Sequence, residues 1–354
     1  MPAIEILGRG TIDGDDSTFP QAVQLPTGDL LASYSNTGGL QVSTDWSRST
    51  DGGWTWHKEG TILAPTTDPE STNLLRVSIS ADGRTVYAYG QRSFISPTAT
   101  FGERRSESIL VTSTDGGRTW TAPSRIPMPT DLLEISHGIL ALASGRLLAP
   151  AATIEAGHVG EQVLVAISDD GGRTWPHRSV AMEDPHGVHG FLEQKLAMLA
   201  DGRLMASAWT VDKVDITDSP NSYSVSGDDG LTWTTPQSIG TRGQTLSIVP
   251  LGPAAGDRVI LLYNRRYGAQ GIVMAIARMT DENWSIEFEG FLYDAHAVRQ
   301  GMVHATGLAE MQQITFGFPT AVPLRDGTYL ATWWSADAAS GRTGVRGARL
   351  RVTL

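Results

Sequence analysis

The stretch Ser49-Thr50-Asp51-Gly52-Gly53-Trp54-Thr55-Trp56 decides the fold, because its pattern S-x-D-x-G-x-T-W occurs four times in the chain. The other copies occupy residues 113–120, 168–175 and 226–233. The Asp and Ser side chains of such a segment can hydrogen-bond turn backbone, and its Gly permits positive φ, while the closing Trp packs under the turn. Each copy therefore predicts a self-contained β-hairpin turn within a repeated unit.

A second pattern, a Gly followed by a short apolar strand, alternates with the first and occurs six times. Its copies occupy residues 28–32, 83–87, 145–149, 202–206, 256–260 and 327–331. The fifth unit carries only a decayed form of the eight-residue turn, Thr280-Asp281-Glu282-Asn283-Trp284. Helical periodicity is weak throughout, so each unit reads as four short antiparallel strands.

These repeats predict an all-β fold, a six-bladed β-propeller formed by one domain over residues 1–354. The segment 4–12 precedes the first unit, and we expect it to pair with 344–353 as the outer strand of the last blade. Such a closure would leave no free sheet edge. Both kinds of turn should lie at one end of the blades, so functional loops are expected at the opposite end, around the axis.

Composition limits the function. The chain has 354 residues, 38 Asp and Glu against 27 Lys and Arg, a net charge of −11 and no cysteine. This charge argues against nucleic acid and against an anionic membrane surface as partners. The chain begins without the basic and apolar regions of a signal peptide, so we expect a cytoplasmic protein. We expect no metal and no cofactor.

The four turns in a six-unit propeller resemble the sialidase superfamily, whose repeats are called Asp boxes or BNR repeats. The segments Ser136-His137-Gly138-Ile139 and Leu192-Glu193-Gln194, each followed by a Gly-Arg-Leu strand, are similar to the third and fourth blades of sialidases. The resemblance covers nearly the whole chain. It implies that Glu193 matches the glutamate that supports a tyrosine nucleophile in that family.

Other sialidase residues are missing. Thr18 stands where the resemblance predicts the first carboxylate-binding arginine, and Ala208-Trp209-Thr210 replaces the second. Phe318 stands where the tyrosine nucleophile is expected, and a phenyl ring has no oxygen for attack. We therefore expect that the protein does not hydrolyse sialosides by the family mechanism. Phe19 and Phe318 occupy matching positions in blades 1 and 6, either as a sugar-stacking platform or as core side chains.

The remaining candidates are polar residues of the inner strands and long loops. The expected catalytic residues are Glu193, His137, Asp16 and His189. The expected substrate-binding residues are Arg76, Arg265, Tyr267, Phe19 and Phe318. The same face also offers Glu134, Arg266 and, in the connection into blade 6, His296, Arg299 and His304.

The sequence favours a carbohydrate-active enzyme, a glycoside hydrolase whose glycan substrate is not sialic acid. Glu193 and Asp16 would serve as the two carboxyl groups that hydrolysis needs, helped by His137 or His189. Two alternatives stay open. A polysaccharide lyase would use His137 or Tyr267 as the base and Arg76 or Arg265 to neutralise a uronate carboxylate. A non-catalytic propeller would bind a glycan or a protein.

Overall fold

The computed structural model describes residues 1–38, 41–96, 98, 103–280, 283–295 and 314–354, and these form six antiparallel sheets. The chain begins with β1 (Ala3–Asp13), which belongs to the last sheet. The strands of blade 1 are β2 (Ser17–Gln24), β3 (Leu30–Asn36), β4 (Ser43–Ser49) and β5 (His57–Leu63). Blade 2 contains β6 (Ser71–Ile79), β7 (Val86–Phe94), β8 (Ser106–Ser113) and β9 (Ser124–Arg125).

Blade 3 differs because its inner strand is broken in two. It contains β10 (Leu133–Glu134), β11 (Leu140–Ala141), β12 (Leu147–Thr153), β13 (Gln162–Ser168) and β14 (His177–Glu183). Blade 4 contains β15 (His189–Met198), β16 (Leu204–Asp212), β17 (Ser222–Ser226) and β18 (Gln237–Ser238). Both parts of the broken strand pair with β12, so blade 3 keeps its place in the ring.

Blade 5 contains β19 (Gln244–Pro250), β20 (Arg258–Arg265), β21 (Gly271–Met279) and β22 (Trp284–Asp294), with a short 3-10 helix at Pro253–Ala255. Blade 6 contains β23 (Phe316–Pro323), β24 (Tyr329–Ala336) and β25 (Thr343–Thr353). β1 pairs antiparallel with β25 as the outer strand of blade 6. The six-bladed fold and its closure by the first strand are thus confirmed.

Apolar side chains hold each blade against the next. Six buried clusters each combine residues of two neighbouring blades, and together they run once around the ring. Leu31 of blade 1 packs with Val77 and Val111 of blade 2, for example, and all three side chains are buried. This packing fixes the inner strands around the axis. In the described part of the chain, no helix is long and apolar enough to cross a membrane.

The eight-residue turns use their aspartates internally. Asp115 accepts hydrogen bonds from the backbone N–H groups of Arg118 and Thr119 at 2.9 Å and from the Thr119 hydroxyl at 2.6 Å. Ser113 donates to Asp115 at 2.7 Å and accepts from the Gly117 N–H at 2.8 Å. These bonds hold the pKa of Asp115 well below its ordinary value. The carboxylate thus stabilises its own turn. Residues 281 and 282 of the decayed copy lie outside the described residues.

Candidate functional site

Four of the six inner strands carry the same irregularity near the axis. A β-bulge interrupts the pairing of β2, β15, β19 and β23 with their neighbours. Each bulge holds a residue other than glycine in the left-handed region, namely Phe19, Glu193, Thr245 and Phe318, with φ between 51° and 54°. Such a backbone is costly for aromatic and β-branched residues, and strain of this kind concentrates at functional sites.

The centre of the site is a contact between two glutamates of neighbouring blades. The backbone N–H of Glu193 donates to Oε2 of Glu134 at 2.9 Å, and the Ser136 hydroxyl donates to the other oxygen. The Thr245 hydroxyl donates to Oε2 of Glu193. Both glutamates are half-buried. The broken inner strand of blade 3 brings Glu134 to this position.

Two cations lie beside the carboxyl pair and pack against one aromatic ring. The Lys195 ammonium is 3.7 Å from the centre of the Phe318 ring and donates to the backbone carbonyl of Ser136 at 2.7 Å. The Arg76 guanidinium lies 4.5 Å from the same ring centre and 5.5 Å from that of Phe19. Arg76 and Lys195 are only 2% and 4% exposed. The aromatic rings therefore help to hold two charges that burial would otherwise disfavour.

Burial shifts the protonation of all these groups. Burial, together with the neighbouring Glu193 carboxylate, raises the pKa of Glu134 to about 7. Burial also raises the pKa of Glu193, against the hydrogen bond from Thr245 and the attraction of Lys195. It lowers the pKa of Lys195 to about 7 and that of Arg76 to about 10. Two neighbouring carboxyls with raised pKa values are the kind of groups that acid–base catalysis requires.

An axial cavity of about 340 Å³ lies on the turn side of this cluster, and all six inner strands line it. Polar groups line its walls, including Gln21, Ser78, His137, Lys195 and Ser247. Desolvation, followed by the nearby Lys195 charge, lowers the pKa of His137 to about 3, so this imidazole is neutral at physiological pH. Lys195 thus lines the cavity and also lies beside the carboxyl pair, and both features lie on the axis of the propeller.

The structure brings some of the predicted residues together. Glu193, Arg76, Phe19 and Phe318 meet at the axis, and His137 lies next to them in the cavity wall. Glu193 lies in the middle of β15 rather than at its start, because that strand already begins at His189, which pairs with Asp212. The aromatic pair is packed edge to face with ring centres 5.4 Å apart, and Phe318 is 2% exposed. With Arg76 and Lys195 on its ring, Phe318 is a core side chain and not an open platform for a sugar.

The structure holds the other predicted residues away from this cluster, in contacts of their own. Asp16 forms an ion pair with Arg342 at 3.1 Å and accepts the N–H of Thr343 at 3.2 Å. His189 lies 3.2 Å from Asp184 at the beginning of β15. An exposed ion pair such as that of Asp16 is typical of surface structure.

The two predicted residues of blade 5 also have neighbours there. Arg265 forms an ion pair with Glu289 at 2.6 Å, and Tyr267 lies under the Arg242 guanidinium, 5.2 Å from its ring centre. Arg266, the neighbour of both, is buried and donates to the Gln244 side chain and to the Phe316 carbonyl. It therefore links blades 5 and 6.

Sequence reasoning missed two residues of the cluster. Lys195 is not among the residues predicted from the sequence, and Glu134 is predicted only as a polar residue of the same face. Lys195 is one of only three lysines in the chain and the only one of them inside an apolar strand pattern, which is a signal that the sequence offered. Glu134 gave no such signal, because the break in its strand cannot be read from the residues alone.

His296, Arg299 and His304 lie outside the described residues. Among the residues that the structure does describe, no three His, Asp or Glu side chains converge in a group that could hold a metal ion.

Comparison with known proteins places the chain in a family. Residues 93–327 match the model of the BNR repeat-like domain. The chain is 30% identical to a sialidase of Micromonospora viridifaciens over 217 residues, which are 54% of this chain and 32% of that protein. It thus spans about a third of the length of this relative.

Two solved structures share the fold along the whole chain. A protein of unknown function from Dyadobacter fermentans matches with a TM-score of 0.78 and 19% identity, over 100% of both chains. An alpha-L-arabinanase of Penicillium chrysogenum, solved with arabinobiose, matches with a TM-score of 0.69 and 16% identity, over 98% of both chains. At this identity the likeness shows the fold alone. The match of residues 93–327 to the family model shows that the chain belongs to the BNR repeat-like domain family, within the sialidase-like superfamily.

Proposed function

We propose that this protein is a glycoside hydrolase that cleaves a glycan other than a sialoside, with Glu134 and Glu193 as its two catalytic carboxyl groups. The observation that carries the proposal is the hydrogen bond from the Glu193 backbone N–H to the Glu134 carboxylate, which brings the two half-buried glutamates together where burial raises the pKa of Glu134 to about 7. Hydrolysis of a glycosidic bond needs one carboxyl that gives a proton and one that acts as a carboxylate. The superfamily is that of the sialidase-like glycoside hydrolases, which supports this class of reaction.

The surroundings of the two carboxyls suggest different roles. Glu193 accepts a hydrogen bond from Thr245 and is attracted by Lys195 and Arg266, which favour its ionised form. Burial and the nearby negative charge of Glu193 both oppose the ionisation of Glu134. In the proposed reaction Glu134 therefore donates a proton to the leaving oxygen. Glu193 acts as the carboxylate that faces the sugar.

The substrate is proposed not to be a sialoside because two groups of the sialidase mechanism are missing. Phe318 has no hydroxyl, and its ring contacts Lys195 and Arg76 instead. The side chain of Thr18 is neutral and buried, so it offers no cation to a substrate carboxylate. A carbohydrate substrate remains, as the names of the similar sialidase and arabinanase suggest.

One observation favours a second candidate, a lyase that acts on a uronate-containing polysaccharide. Nε and Nη1 of the buried Arg76 have no hydrogen-bond partner among the described residues, so the guanidinium has donors to spare near the site. A uronate carboxylate is the kind of group that such a cation would neutralise. His137, neutral at physiological pH, would then be the base that removes the adjacent proton.

One set of incubations separates these functions. The purified protein is incubated with a panel of neutral oligosaccharides, including arabino-oligosaccharides, and with uronate-containing polymers. New reducing ends without ultraviolet absorbance of a conjugated double bond support hydrolysis, whereas that absorbance shows elimination. Glu193→Gln is the inactive control, and Glu155→Gln, at an exposed residue, is the matched active one. Binding without turnover on every substrate would refute both candidates and favour a non-catalytic glycan-binding protein.

A further inference from the structure

Lys195 is a charged residue of the axis that contacts neither carboxyl directly and yet lies beside both. It is 4% exposed, lines the axial cavity and comes two residues after Glu193 in the bulged strand β15. Its ammonium is fixed from two sides, by the Ser136 carbonyl at 2.7 Å and by the face of Phe318 at 3.7 Å. A long, flexible side chain held so firmly has a defined position relative to its neighbours.

Ser136 connects the lysine to the carboxyl pair. Its backbone carbonyl accepts from Lys195, while its hydroxyl donates to Glu134, whose other oxygen accepts the backbone N–H of Glu193. Ser136 therefore links the Lys195 ammonium to the Glu134 carboxyl, and Glu134 in turn holds the backbone of Glu193, whose own carboxylate accepts from Thr245. Movement of Lys195 or loss of its charge would therefore change the pKa values of both carboxyls.

Charges face Lys195 from three blades. Arg76 approaches from blade 2, Glu134 and His137 from blade 3, and Glu193 from its own strand. Arg76 opposes the lysine charge, whereas the two glutamates favour it. His137 is held neutral, and Phe318 from blade 6 contributes only a ring face. Lys195 and Arg76 thus face two carboxyls at the axis, and Arg266 is a third cation close to Glu193.

We propose that Lys195 is a positioning residue for the carboxyl pair, whose ammonium keeps one of Glu134 and Glu193 ionised while the other holds a proton. A carboxylate and a carboxylic acid in the same site are what the hydrolytic mechanism needs at its start. Without the ammonium, two carboxyls in a desolvated site would both favour the neutral form. The inference rests on the proposed function, but its electrostatic part can be measured without a substrate.

The test is a titration of the carboxyl groups by NMR. Protein labelled with ¹³C at the glutamate carboxyls is titrated from about pH 4 to about pH 9, and the two signals are assigned with Glu134→Gln and Glu193→Gln. We expect Lys195→Met, which removes the charge at similar length, to raise the apparent pKa values of the pair by about one unit or more. Lys195→Arg, which keeps a cation at this position, should not raise them. Lys213→Met, at a lysine beside Glu161, is the matched control and should also leave it unchanged.

A second measurement needs no variant at this site, so a folding defect cannot leave the question open. In wild-type protein with ¹⁵N-labelled lysine, the Lys195 ammonium signal should shift at the same pH at which the carboxyls titrate, because coupled groups respond to one another. The proposal would be overturned if the carboxyl titrations were identical in wild type and Lys195→Met. It would also be overturned if the Lys195 ammonium signal did not shift at the pH at which the carboxyls titrate.

Activity provides the last comparison. With a substrate in hand, Lys195→Met should move the acidic limb of the kcat/KM profile to higher pH, and Lys195→Arg should restore it. A protein that shows the coupled titration but hydrolyses nothing would contradict the proposed function and leave this inference standing. Hydrolysis with an unchanged pH profile would contradict the inference alone.

Discussion

Replacing Glu134 with Gln should stabilise the protein at alkaline pH, because it removes a carboxyl that the fold keeps from ionising easily. Burial raises the pKa of this group from its ordinary value of 4.5 to about 7. A folded-state pKa above the unfolded one means that the folded form is favoured below pH 4.5 and loses this advantage as the pH rises through 7. The difference corresponds to at most about 3 kcal/mol above pH 7. Glutamine can keep both hydrogen bonds, since the Ser136 hydroxyl can turn to accept from the amide.

The assay is urea unfolding of wild type and Glu134→Gln between about pH 4.5 and pH 8. We expect the two free energies of unfolding to be similar at the acidic end and to diverge by up to about 3 kcal/mol in favour of the variant at the alkaline end. Glu155→Gln, at an exposed carboxylate, is the control and should show no such divergence. A difference between Glu134→Gln and wild type that does not change with pH would refute the assignment of Glu134 as a desolvated, protonatable group.

Three further predictions concern other parts of the molecule. The wild-type protein should release no sialic acid from a fluorogenic sialoside, since Thr18 and Phe318 replace the groups that sialidases use; turnover at ordinary enzyme rates would contradict this. Asp115→Ala should lower the melting temperature without changing kcat/KM. Because the turn lowers the pKa of Asp115, its contribution to stability is present above pH 3.8 and should fade as the pH falls below that value, which melting curves at several pH values would show. Asp16→Asn should keep near wild-type activity, because Asp16 pairs with Arg342, and a large loss of kcat would show that Asp16 acts in catalysis.

The fold could be predicted from the sequence because its signals are local and repeated. The turn at 113–120 forms its hydrogen bonds within eight residues, as do its equivalents, so the pattern can be recognised directly in the sequence. The pairing of β1 with β25 could also be inferred, since a blade without its outer strand would leave a free edge. Both conclusions depend on residues that are close in sequence or on a simple rule of closure.

The site was less predictable because it is built from contacts between distant residues. Phe19 and Phe318 could be placed at matching positions in the sequence, and their bulges do occupy equivalent places in blades 1 and 6. The contact of Glu134 with the Glu193 backbone joins residues 59 positions apart and depends on the broken strand of blade 3. Lys195 was also hard to predict, because its burial comes from Phe318 and Ser136, which are distant in sequence.

The central claim is that Glu193 belongs to the machinery that cleaves a glycosidic bond. The most direct test is the kcat/KM of wild type and Glu193→Gln on the best substrate of the panel, together with their melting temperatures. The variant keeps the size and polarity of the side chain but has no titratable proton. We expect kcat/KM to fall by roughly 10²–10⁴-fold with little change in melting temperature. Near-normal turnover by Glu193→Gln, or a large fall in melting temperature with only a modest kinetic change, would contradict the account.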